Sequence, residues 1–168
     1  MTATTQKTIQ IDSQRMRIQR WSILLLVSIV MMMGYVFWDI FSPLSTTMKT
    51  PETQGGLGWT ATEYGLFAGS YSFFNVFLLM LFWGGILLDR MGVRFTGIVA
   101  TGLMATGAIV CYYAMTTINT HTIIHLPLLG QIKWQVAVST LGFGMFGVGC
   151  DITGITISKI ITKWFNGY

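Results

Sequence analysis

Charge is what this sequence has least of. Lys, Arg, Asp and Glu make up 10% of its 168 residues, against roughly a quarter in an ordinary soluble domain. The charges fall in short clusters, and the long stretches between them carry none. In water such stretches would expose large apolar patches, so a soluble globular enzyme is not the expectation. Cysteine is nearly absent as well. Cys111 and Cys150 lie inside apolar runs and read as buried thiols, because a disulfide framework or metal site needs denser spacing. No zinc, P-loop or dinucleotide motif occurs, and no cofactor or metal is expected.

What is present is apolar length. Hydrophobic residues make up 52% and the mean hydropathy is +0.61, in runs long enough for the roughly 20 residues that cross a bilayer. The net charge of +4 does not imply a nucleic-acid partner. The basic residues flank apolar segments and build no basic domain of their own. The expected fold is all-α: a polytopic membrane protein with about four transmembrane helices and lipid as its surroundings.

Residues 1–20 are polar and place Lys7, Arg15, Arg17 and Arg20 before the first apolar run. That run, about 21–41, is too long for a signal-peptide core and no small-residue cleavage site follows it, so it is read as a helix that stays. A loop with Pro51, Gly55, Gly56 and Gly58 comes next, a composition that breaks helices. The second helix is expected over about 64–88 and the third over about 95–117. The link between them is so short that it forces a tight antiparallel hairpin. A longer loop with His121, His125 and Pro127 leads to a fourth helix over about 132–161.

With the N-terminus inside, eight basic residues lie on the cytoplasmic side (Lys7, Arg15, Arg17, Arg20, Arg90, Arg94, Lys159, Lys163) and two outside (Lys49, Lys133). The positive-inside rule then places both ends in the cytoplasm of a cell (inner) membrane. Trp21, Trp59, Trp134 and Trp164 lie near the expected boundaries, where amphipathic rings prefer to sit.

Membrane helices pack through small residues. Gly144, Gly147, Asp151, Gly154 and Ser158 recur at steps of three and four, and Gly97, Thr101, Ala105 and Ala108 form a similar stripe. Bundle packing alone explains the glycines. It does not explain Asp151, since a carboxylate near mid-helix costs at least about 2.5 kcal/mol to insert. Asp151 is either a structural group bonded within the bundle or part of a transport pathway. Asn75, one turn after Tyr71, needs partners at its depth and either ties helices together or lines a cavity. Asp39, one turn after Tyr35, is either solvated at the interface or part of the same pathway. Lys159 reads as a side chain that snorkels to the interface. His121 and His125 have the i, i+4 spacing of a metal pair only if helical; no acidic or Cys ligand stands beside them, and their flanks read as a loop.

Asp89 closes the second helix, where its charge opposes the helix dipole. It therefore needs a specific partner: Arg90, Arg94, or the N-terminus of another helix. Gly84 and Gly85 before it would let another backbone come close, and Gly92 suits a tight turn.

Gly85-Ile86-Leu87-Leu88-Asp89-Arg90-Met91-Gly92-Val93-Arg94 resembles the signature loop between helices two and three of the major facilitator superfamily. The pattern is Gly, three residues, Asp, a basic residue, any, Gly, any, a basic residue. It departs at Phe95, where a further basic residue often follows. Tyr71-Ser72-Phe73-Phe74-Asn75 before Gly84-Gly85 is similar to the subfamily containing the lysosomal dipeptide transporter. So is Gly147-Val148-Gly149-Cys150-Asp151 before Lys163-Trp164-Phe165-Asn166-Gly167, although that subfamily tends to have Glu at the Asp151 position. The superfamily resemblance covers about residues 21–168.

The resemblance implies a secondary transporter of a small organic solute, a symporter or uniporter, in which two six-helix halves rock about a midplane site. Proton coupling through Asp39 or Asp151 is compatible with it. Asp89 would contact the other half and help latch the outward-open state, with Gly85 permitting close approach and Arg90, Gly92 and Arg94 completing the loop. Tyr35, Asp39, Tyr71, Asn75 and Asp151 are the candidate pathway residues. Such transporters have about twelve helices, so the chain is expected to be the N-terminal portion of a longer transporter, with a C-terminal half as partner. Two other readings stay open: a short four-helix protein that assembles into an oligomeric transporter, and a non-transporting membrane scaffold.

Overall fold

The structure, a computed structural model, describes residues 3–77, 80–126 and 130–165. Pro127, the Asn166-Gly167 end of the resemblance and the side chain of Lys7 lie outside the described residues, as do residues 78–79 of the expected second helix.

Helix α1 (Ala3–Asp39) begins well before Trp21. Hydropathy marks where a helix can meet lipid, whereas Gln, Arg and Met favour helix in water too. From Ala3 the polar N-terminal segment is helical and continuous with the apolar run. The helix ends where Pro43 lacks the N–H that would bond to the Asp39 carbonyl, and α2 (Phe41–Lys49) continues at once. Helix α3 (Ala61–Phe77) starts on a capping box. The Thr60 N–H donates to Glu63 Oε2 at 2.8 Å, and the Glu63 N–H donates to Thr60 Oγ1 at 3.2 Å, so each satisfies an otherwise orphaned donor.

Helix α4 (Met80–Thr117) is interrupted at Gly92, whose φ of 80° and ψ of 165° are not helical. The chain doubles back there. Thr96 Oγ1 donates to the Leu87 carbonyl at 3.5 Å, whereas an unbroken helix would separate residues 87 and 96 by about 13 Å. Gly84 and Gly97, one on each arm, also meet the same stretch of the last helix, at Ile152 and Ile155 and at Thr156. The expected hairpin is therefore formed, with its corner at Gly92. Few side chains tolerate that backbone geometry, which costs about 1–3 kcal/mol away from glycine. Gly92→Ala should lower the thermal unfolding midpoint in detergent, while Gly102→Ala, on an open face of the same helix with nothing within 4 Å, should not.

Between α4 and α5 (Trp134–Phe165) lies an antiparallel pair, β1 (Ile123–Leu126) with β2 (Gly130–Lys133). The sequence reading had a plain loop here and began the fourth helix at 132. Ile123 and Ile124 favour the pleated conformation, and Gly130 takes φ 74° at the start of β2. The molecule remains all-α apart from this small hairpin.

Among the described residues, three helical stretches are long and apolar enough to cross a membrane: Gln14–Lys49, Trp83–Thr117, which contains the Gly92 corner, and Trp134–Phe165. Their burial differs sharply. The apolar window of the first is 6% buried and that of α5 is 67% buried, so α5 is the hub. It runs antiparallel to α1, with Trp21 edge-on to Phe165 at 6.5 Å and Phe37 against Phe146 at 4.4 Å. It runs parallel to α3, where Phe67 stacks on Phe143 at 4.7 Å. Lipid supplies no hydrophobic drive between helices, so close packing has to hold them. A Cβ on Gly107 would lie 2.6 Å from the Gly142 carbonyl oxygen, and one on Gly149 would lie 2.7 Å from that of Ala100. At the Trp59 end, Phe41, Phe67, Phe143 and Phe146 form an aromatic core.

The small-residue stripes need correction in detail. The closest approach of α4 to α5 uses Ala100, Met104, Gly107 and Cys111, one step round the helix from the expected stripe. Thr101 and Ala105 are exposed and line an open cleft toward α1 with Gly34 and Ala108. On α5, Gly144 and Gly147 admit Phe74 and Tyr71 of α3, and Gly154 faces Met31 of α1.

Candidate functional site: a mid-bundle carboxylate and a charged corner

Two groups of polar side chains stand out against the apolar bundle. The first lies midway along α5. Gly147 leaves room for Tyr71, whose Cδ2 would be 2.8 Å from a Cβ there. The Tyr71 ring lies 5.8 Å from Phe143 and 5.5 Å from Trp38 of α1. Its hydroxyl lies near the Cys150 thiol and within electrostatic range of Asp151 and of Tyr35. Tyr71 of α3 thus lies near both Tyr35 of α1 and Asp151 of α5, residues 116 positions apart in sequence.

Asp151 is half-buried, and among the described residues its carboxylate accepts no hydrogen bond and makes no ion pair. The α3–α5 register that pairs Phe67 with Phe143 and Tyr71 with Gly147 carries Asn75 to the level of Asp151. Among the described residues, the Asn75 Oδ1 is buried without a hydrogen-bond partner. Asp39 is the exposed last residue of α1, one turn beyond Tyr35. Cys111 and Cys150 are free and buried, and the Cys111 thiol faces the Ser139 carbonyl at 3.4 Å.

The second group is the corner at Gly92. Asp89 is ion-paired with Lys159 of α5, not with Arg90 or Arg94. The expected partners lie next to it in sequence, but the hairpin presents Asp89 to α5, where Lys159 waits on the last turns. Lys159 therefore does more than snorkel. Both side chains are substantially exposed, 75% for Asp89 and 43% for Lys159, and an exposed pair of this kind contributes at most about 1 kcal/mol. Asp89, Gly92, Arg94, Lys159 and Lys163 line a cleft of about 780 Å³, whereas Arg90 lines a neighbouring one with Ile152. Gly84, not Gly85, makes the close approach to α5; Gly85 has nothing within 4 Å of the position a Cβ would take.

At the opposite end, several polar residues carry structure that the sequence reading passed over. Trp59 is buried, and its indole N–H donates to Gln135 Oε1 at 3.0 Å. Trp21 and Trp134, by contrast, are exposed. Gln135 Nε2 donates to the Met115 carbonyl at 3.3 Å. Buried Glu63 accepts the Lys133 backbone N–H at 3.2 Å, and Lys133 Nζ donates to the Gly58 carbonyl at 2.7 Å. Lys49 sits over the Tyr64 ring at 4.7 Å. The Thr60-to-Glu63 spacing was the legible signal for this region. His125 lies in β1 and His121 in the turn before it, so the helical spacing a metal pair would need is not formed; His121 Nε2 lies 3.6 Å from Glu52.

No family model, no curated protein and no solved structure matches the chain.

Proposed function

We propose that the chain is the N-terminal part of a secondary transporter of the major facilitator type, moving a small organic solute by alternating access. The observation that carries this reading is the convergence of Tyr35, Tyr71 and Asp151. A carboxylate within a membrane helix is costly, and here it has neither a salt-bridge partner nor a hydrogen bond among the described residues to offset that cost. Tyr35, near Tyr71, is 55% exposed. Such a face suits a water-filled pathway better than lipid. The polar residues that open it come from α1, α3 and α5.

The reading takes four crossings: α1, α3 with the first arm of α4, the second arm of α4, and α5. It places both the N-terminus and the Gly92 corner in the cytoplasm, where the eight basic residues would lie. Asp89 then serves as the latch, with Gly85 offering an uncovered backbone beside it. Lys159 holds the latch closed against α5 when no other element competes for it. In this reading the chain has no catalytic chemistry of its own.

Cysteine accessibility in native membranes tests the pathway without knowledge of the substrate. Tyr35→Cys should react with a membrane-impermeant thiol reagent, and Ile98→Cys, on an exposed apolar face of α4 at 73% exposure, should not. The parent chain, with Cys111 and Cys150 buried, sets the background. If position 35 labels no faster than position 98, it faces lipid and the pathway reading fails.

A further inference from the structure

The corner at Gly92 carries a second property that does not depend on transport. Arg94, Lys159 and Lys163 line one cleft of about 780 Å³ together with Asp89. Lys159 is paired with Asp89, which neutralises the one acidic group lining the cleft. Neither Arg94 nor Lys163 has an ion pair or hydrogen bond among the described residues, and both are exposed. Two unopposed cations therefore share a concave site. Arg presents a planar fork of donors suited to phosphate oxygens, and Lys adds a point charge.

The remaining walls decide what kind of phosphate fits. Leu88, Met91 and Val93 line the same cleft, so it is amphipathic, charged at one side and apolar at the other. Free phosphate has no use for an apolar wall. A phospholipid does, since its glycerol and upper acyl carbons lie directly beneath the phosphate. The depth agrees, because the cleft lies where the apolar runs of α4 and α5 give way to charge. Trp164, 37% exposed on the adjacent turn of α5, is the kind of ring found at headgroup level.

We propose that this cleft binds the phosphate headgroup of an anionic phospholipid, held by Arg94 and Lys163, with Leu88, Met91 and Val93 against its glycerol region. A bound phosphate also lies within reach of Lys159 and competes with Asp89 for it. Lipid occupancy thereby bears on whether the Asp89 carboxylate is free.

Native mass spectrometry of the purified chain in neutral detergent tests the site, with phosphatidylglycerol, phosphatidylcholine and inorganic phosphate as probes. One phosphatidylglycerol should be retained per chain in preference to phosphatidylcholine, and inorganic phosphate should not displace it at equal concentration. The double variant Arg94→Gln with Lys163→Gln should bind roughly tenfold more weakly, since each cation near an anionic headgroup contributes several-fold in affinity. Arg15→Gln with Arg17→Gln removes the same charge outside the cleft and should bind as the parent does. Gel filtration shows that each variant is folded, and the swap Arg94→Lys with Lys163→Arg should restore binding. Equal loss in both Gln pairs would mean diffuse electrostatics and overturn the site. Displacement by inorganic phosphate would mean a free-anion site and overturn the lipid assignment.

Discussion

Gly107→Leu is expected to abolish recovery of folded protein, and Gly107→Ala to lower its thermal midpoint clearly. The reason is geometric. A Cβ at this position would meet the Gly142 carbonyl oxygen and the Phe146 backbone nitrogen, both at 2.6 Å. These are main-chain atoms of the hub helix and cannot rotate away. Overpacking a core typically costs about 1–3 kcal/mol, and this site lies at the upper end or beyond because helix must move from helix. Intrinsic propensity pushes the other way, since Ala favours a helix over Gly by about 0.5–1 kcal/mol. Measured destabilisation would thus report the helix contact despite a favourable local term. Gly102→Leu is the comparison: it lies in the same helix, exposed, with nothing within 4 Å. Fluorescence-detected size exclusion after heating separates the two. Equal behaviour of the two Leu variants would contradict the α4–α5 packing described above.

Asp151→Asn is expected to move stability and function in opposite directions. The carboxylate has no hydrogen bond among the described residues, so replacing it by a neutral amide removes a desolvation penalty and breaks nothing. The thermal midpoint should stay level or rise. Transport by the complete protein should fall at least about tenfold, the effect of losing roughly 1.4 kcal/mol at the step where the charge acts. Asp151→Glu keeps the charge and should keep most of the activity. A structural carboxylate would behave in reverse, with Asn lowering stability and uptake falling only as folded protein is lost. Paired measurement of uptake per folded molecule and thermal midpoint decides between them. Normal uptake in a folded Asn variant would falsify the pathway role.

The parts of this fold that could be read from sequence are those with a local cause. The Gly92 corner follows from a link too short for anything but a hairpin, and the apolar runs follow from the thickness of a bilayer. The convergence of Tyr35, Tyr71 and Asp151 was partly legible, because each sits at a depth where a polar group needs a reason. What was not legible depends on rotation about a helix axis or on distant partners. Ala100, Met104, Gly107 and Cys111 make the closest approach to α5, whereas Thr101 and Ala105 of the expected stripe are exposed, and a turn of one residue separates those alternatives. Asp89 bypassed the arginines beside it for Lys159, seventy residues on, which only the hairpin brings near. The start of α1 at Ala3 was missed because polarity was read as the end of a helix when it marks only the end of its apolar stretch.

The burial of α5 also bears on how the protein is made. The helices that precede it lean on it far more than on one another, yet it is the last of the described helices to leave the ribosome. At about 5–20 residues per second, several seconds pass between synthesis of α4 and completion of α5. During that interval Gly107, Ala100 and Tyr71 lack the surface they are shaped to meet. Assembly therefore hinges on the late arrival of a keystone, and the earlier spans must be held apart from wrong partners until it comes.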